Sequence, residues 1–143
     1  VVPRPAVPAA PILLVAVAVT AISAWAVKRK NGRFATNHSD DRLGAGDLGM
    51  GLVERATLVQ FSSAFCAPCR ATRVLLTDIA EKVDGVVTVD IDAEEHLDLV
   101  RRLNILRTPT VLVLDAAGAI VTRASGLPRR EQVLAALGAA VSG

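Results

Sequence analysis

Cys66-Ala67-Pro68-Cys69 contains both cysteines of this 143-residue chain, just downstream of the strand-like run Thr57-Leu58-Val59-Gln60-Phe61. Two cysteines at this spacing can close and reopen a disulfide, or supply half of a four-ligand zinc site. Zinc would need two further ligands, and the candidates are His38 and His96, isolated from each other in sequence. A third reading is an inert buried pair, since free cysteine often behaves as a small core hydrophobe. Pro68 argues against inertness, because proline is accommodated in the first turn of a helix and marks where one begins. With Cys66 at the N-cap of that helix, unpaired backbone N–H groups and the positive end of the helix dipole would favour a thiolate, below the about 8.5 of a free thiol. Cys66 is then the expected nucleophile. Cys69, one turn on and on the same face, is the expected resolving thiol. Phe65 supplies an apolar lip and Arg70 a nearby positive charge.

The flanking pattern supplies the elements that must hold such a pair. Residues 57–61 read as a strand and 62–65 as a turn into the cysteines. From 67 to about 83, Ala71, Val74, Leu75, Ile79 and Val83 recur at helical spacing, and Gly85 ends the pattern. Residues 86–91 form the next strand. Asp92 and Glu95 have capping-box spacing for a following helix, with Leu97, Val100 and Leu103 as its inner stripe and Asn104 at its end. Residues 110–114 and 119–124 read as a hairpin around Asp115-Ala116-Ala117-Gly118. A last helix opens near Pro128, with Val133, Leu134, Leu137 and Val141 on one face. The order β-α-β-α-β-β-α predicts an α/β fold with a mixed four-stranded sheet flanked by helices.

Upstream of this domain the composition changes. The chain is 52% apolar with a mean hydropathy of +0.45, and much of that is concentrated in residues 9–27, AAPILLVAVAVTAISAWAV. This stretch approaches the roughly 20 apolar residues that cross a hydrocarbon layer as a helix, with Trp25 near one interface. Residues 55–143 carry ten Lys and Arg against ten Asp and Glu. Lys28, Arg29, Lys30 and Arg33 follow the apolar run, and only Arg4 and the chain amine precede it. The positive-inside rule therefore predicts a single-pass cell-membrane helix with the domain cytoplasmic. A cleaved signal peptide is the rival, with Ala24-Trp25-Ala26 as its small-x-small site, but Lys-Arg-Lys immediately downstream disfavours export. Residues 1–8 read as a short tail. Residues 28–54, with four glycines between Gly44 and Gly51 and little periodicity, read as a flexible tether. The neutral domain gives no support to nucleic-acid binding.

Taken together, these residues resemble the thioredoxin family over about 55–141. Phe-Cys-Ala-Pro-Cys-Arg is similar to the family's W-C-G-P-C-K, Thr108-Pro109 to its cis-proline loop, and Gly126 to the glycine before its final helix. A C-x-x-C beside a βαβ pattern is a general marker of this redox motif. The resemblance implies a minimal thioredoxin fold, lacking the additional N-terminal strand and helix of full thioredoxins. It also implies a thiol–disulfide oxidoreductase that exchanges electrons with protein disulfides. Phe65, Ala67, Pro68, Thr108 and Pro109 would touch the substrate peptide, with Thr108 offering backbone groups beside a cis bond. No cofactor is expected, since no G-x-G-x-x-G is present; electrons would come from a thioredoxin-reductase-like donor. A non-catalytic adaptor using the same groove, or an exported oxidant or isomerase, are the competing functions. Where the family has a buried Asp this chain has Gln60, and where it has the neighbouring Lys this chain has Thr88. An amide cannot act as general base, so Cys69 would lose its proton to water or to the Cys66 thiolate.

Overall fold

A computed structural model of the chain describes residues 9–36, 41–52 and 55–143. The expected tail, His38 and part of the expected tether lie outside the described residues. The chain divides into two units, Val1–Lys30 and Asn31–Gly143.

The first unit contains α1 (Ala9–Lys30), which is long and apolar enough to cross a membrane by length and composition. It carries no acidic residue in its first turn and ends on Lys28, Arg29 and Lys30, a placement that suits the negative end of the helix dipole. The Arg29 guanidinium stacks 4.6 Å from the Trp25 ring centre.

The second unit is built on β1 (Phe34–Thr36), α2 (Ala45–Leu48), β2 (Ala56–Ser62), α3 (Ala67–Lys82), β3 (Val86–Asp92), α4 (Leu97–Arg102), β4 (Thr110–Asp115), β5 (Ile120–Ser125) and α5 (Arg130–Ser142). Its sheet runs β1-β5-β4-β2-β3. Strands β2 and β3 are parallel, while the other pairs are antiparallel. The mixed sheet and the expected element order are therefore present, with a fifth strand added. Strand β2 is buried along its whole length, as a central strand covered on both faces must be. Val59 and Phe61 face one core cluster with Leu43, Leu99, Leu103 and Leu112. Ala56 and Leu58 face the other, with Leu76, Ile79, Val133 and Leu137.

The tether expectation requires correction. Phe34–Thr36 pairs with β5, and Leu43 and Leu48 enter the core. The Leu43 N–H donates to the Gly118 carbonyl at 2.9 Å. Three-residue pairing and two isolated leucines leave no periodic pattern to read. In the short helix α2, partial burial of Asp47 raises its carboxyl. The Gly44 N–H at 3.0 Å and the Arg102 guanidinium at 2.9 Å outweigh that effect and hold it below its ordinary value.

Helix phases also differ from expectation. On α3 the inward face is Cys69, Thr72, Leu76 and Ile79, while Val74 is exposed. On α4, Leu99 and Leu103 are buried and Leu97 is exposed. The Asp92 carboxylate accepts the Glu94 N–H at 2.8 Å, forming a turn rather than capping α4, whose N-cap is His96. On α5, small Ala136 and Ala140 join Val133 and Leu137, while Leu134 and Val141 turn outward. Close approach to the sheet favours alanine there, so the largest apolar residues do not define the stripe.

Candidate active site

The C-terminal end of β2 delivers the chain through Ser63, Ala64 and Phe65 into the head of α3. Cys66 is the N-cap, with extended backbone, and Pro68 lies in the first turn. The Cys69 N–H donates to the Cys66 sulfur at 3.2 Å and to its carbonyl at 3.1 Å. This is the capping arrangement in which a sulfur meets a free helix N–H. The two cysteines are joined as a disulfide, with Cα atoms 5.2 Å apart. Cys66 is partly exposed and Cys69 is buried, so a molecule from solution meets Cys66 first.

Around the pair, Ser62, Ser63, Ala64, Arg70, Arg73 and Asp92 line a shallow cleft of about 280 Å³. Phe65 is fully exposed at 102%, and Ala67 and Pro68 are exposed beside it. The expected apolar lip is thus open to a partner. Arg73 pairs with Asp90, which also accepts from Ser62.

Thr108 and Pro109 arrive from the loop before β4. Their peptide bond is cis, Thr108 is half-buried and Pro109 is buried. The structure brings this loop to the cysteine turn, since the Thr108 and Ser63 hydroxyls lie 3.0 Å apart. The Gly126 N–H donates to the Pro109 carbonyl at 2.7 Å. Gly126 has φ +94, a conformation that favours glycine, and a Cβ there would displace the Asn31 and Arg107 side chains.

Gln60 is buried, and its amide nitrogen donates to the Cys69 carbonyl at 2.8 Å. Its Oε1 has no hydrogen-bond partner among the described residues. The neighbouring Thr88 pairs across from Leu58. Ser63, Arg107 and Asn31 were not foreseen at the site. Their contacts span 45 and 76 residues of sequence, and no local motif announces them. Among the described residues no cluster of three or more His, Cys, Asp or Glu could hold a metal.

The thioredoxin family model matches residues 51–139. Thioredoxin from Alicyclobacillus acidocaldarius is 31% identical over 85 residues, 59% of this chain and 80% of that protein. Thioredoxin H2 of Arabidopsis thaliana is 31% identical over 74 residues, 52% of this chain and 55% of its own length. Putative thioredoxin H10 of Arabidopsis thaliana is 32% identical over 57 residues, 40% of this chain, and only 37% of its length is covered. Among solved structures, chloroplastic thioredoxin z superposes with a TM-score of 0.55 at 27% identity, covering 62% of this chain and 80% of its own. A mutant thioredoxin from Halobacterium salinarum gives 0.55 at 22% identity, over 61% and 75% of the two chains, a likeness of fold. Since the family match extends over more than half of the residues and carries the cysteine pair with it, the chain belongs to the thioredoxin family.

Proposed function

We propose that this thioredoxin-family redox protein is a membrane-tethered reductant of protein disulfides. The observation that supports the chemistry best is the asymmetry of the pair. Cys66 is accessible at a helix N-cap, and Cys69 is buried one turn behind it. In the reduced form, the Cys66 thiolate attacks one sulfur of a substrate disulfide, and the first substrate thiolate leaves. The Cys69 thiolate then attacks Cys66, the second substrate thiolate leaves, and the Cys66–Cys69 disulfide forms. Two electrons pass to the substrate, and an external dithiol donor of the thioredoxin-reductase kind must return them. Phe65, Ala67, Pro68 and Thr108 form the surface against which the substrate peptide lies, with the buried Pro109 next to Thr108.

The anchor in this reading is α1, which satisfies the length and apolarity of a membrane span. The cluster Lys28, Arg29 and Lys30 at its end favours a cytoplasmic domain. Insulin reduction by the full chain in detergent, with dithiothreitol as donor, tests the chemistry. Cys66→Ser is expected to fall to the uncatalysed rate, and an unchanged rate contradicts the reading. A membrane-impermeant maleimide applied to intact cells after reduction tests the side. Protection of Cys66 is expected, whereas strong labelling places the domain outside and contradicts the cytoplasmic reading.

A further inference from the structure

The second unit begins at its dithiol-bearing end. Paired positions trace a row across the sheet from Phe61 of β2 to Thr110 of β4 and on to Ser125 of β5. The Ser125 carbonyl accepts the Gly32 N–H at 2.6 Å. Phe61 precedes the cysteine turn by a few residues, and Thr110 directly follows Pro109. Gly32 therefore stands on the same end of the sheet as Cys66.

This entry point is fixed by several contacts. The Arg107 guanidinium donates to the Asn31 side-chain oxygen and, at 2.9 Å, to the Ser125 carbonyl. Gly32 is buried with φ +71, and a Cβ there would run into the Leu127 carbonyl. Gly126 leaves room for the Asn31 side chain. Beyond Gly32, Phe34–Thr36 is paired along β5. Lys30, the last residue of α1, is bonded directly to Asn31.

Magnitudes decide what this means for reach. Three inter-strand spacings of about 4.8 Å put Gly32 about 14 Å from Phe61, and the dithiol on the order of 20 Å away. A free tether over residues 28–54 would instead give a root-mean-square reach of about 30 Å and a limit of about 90 Å. Exposed Phe65, Leu106 and Leu127 lie on the loops of the same end, beside the cleft that holds the dithiol.

We propose that the substrates are disulfides in the membrane-adjacent segments of other membrane proteins, because the domain is attached to its apolar helix at the dithiol-bearing end. The inference rests on the reading of α1 as an anchor. Attachment at this end raises the effective concentration of Cys66 near the bilayer surface and lowers it farther out.

The test uses the full chain in lipid-bilayer discs with dithiothreitol as donor. Its probe is a self-quenched disulfide peptide joined to a lipid headgroup, either directly or through about twenty prolines, a spacer of roughly 60 Å. Rates are taken above those of Cys66→Ser. The native chain is expected to reduce the directly joined probe at least about tenfold faster than the spaced one. Inserting about sixty Gly and Ser residues between Lys30 and Asn31, a reach of about 40 Å, is expected to bring the two rates within about twofold. Equal rates for the native chain overturn the proposal, as does a preference that survives the insertion. The same peptide free in solution reads the chemistry separately, and retention of the chain in the discs after an alkaline wash reads the anchor. Failure of either removes the underlying reading and the proposal with it. A native preference absent while both controls hold condemns the proposal alone.

Discussion

Gln60 ties the central strand to the first turn of α3 through its bond to the Cys69 carbonyl. Its other amide atom is buried without a partner among the described residues, beside a helix turn that must accommodate a thiol each time the disulfide opens. The side chain does not titrate near neutral pH, so position 60 offers no carboxyl to assist Cys69. Gln60→Asp supplies one, and burial would raise its pKa above the ordinary carboxylate range. The variant is expected to gain a titration step in the pH profile of disulfide reduction that the native chain lacks. Stopped-flow rates between about pH 5 and 9 check this, and coincident profiles contradict it. Cys66, Cys69, Thr108, Pro109 and Gly126 were legible because C-x-x-C, a Thr-Pro pair and a late glycine are local signals. Asn31, Ser63 and Arg107 were not, because their importance exists only after distant segments meet.

At the scale of elements, most strands and helices could be read from the sequence, because the strands are short β-rich or apolar runs and the helices carry apolar residues at helical spacing. What escaped was the segment before Ala56. Its strand is only three residues long, and its core contacts rest on Leu43 and Leu48 amid polar residues and glycines. The inward faces of α3, α4 and α5 were also misphased. Small or polar residues such as Thr72 and Ala140 are buried there, whereas Val74, Leu97 and Leu134 are not. Burial of Leu43 makes a sharp distinction between packed segment and tether. Leu43→Ala is expected to lower stability by about 2–5 kcal/mol, the usual loss for a large-to-small change in a core. Urea unfolding followed by circular dichroism measures it, and an unchanged midpoint would restore the tether.

For the whole molecule, α2 is held against α4 by Asp47 and Arg102, 2.9 Å apart. The Asp47 carboxyl titrates below its unfolded value once the Gly44 and Arg102 contacts outweigh its partial burial. A depressed acid stabilises the fold above its unfolded pKa of about 3.9 and loses that contribution as pH falls through the folded value. The pair is partly exposed, so its contribution is at most about 1 kcal/mol. Asp47→Asn is accordingly expected to unfold at slightly lower urea than the native chain at pH 7. The gap should close as the pH drops below about 4. A gap that persists in acid would assign the effect to something other than this carboxylate.

The division of labour between Cys66 and Cys69 carries the functional account, and it can be read by trapping. A chain with Cys69→Ser, challenged with a disulfide-bearing peptide, is predicted to accumulate a mixed disulfide on Cys66, visible by intact mass. The Cys66→Ser chain should form little adduct, and the native chain should release reduced peptide. Adduct on Cys69 instead, or on neither cysteine, would contradict the assignment of Cys66 as the attacking thiol.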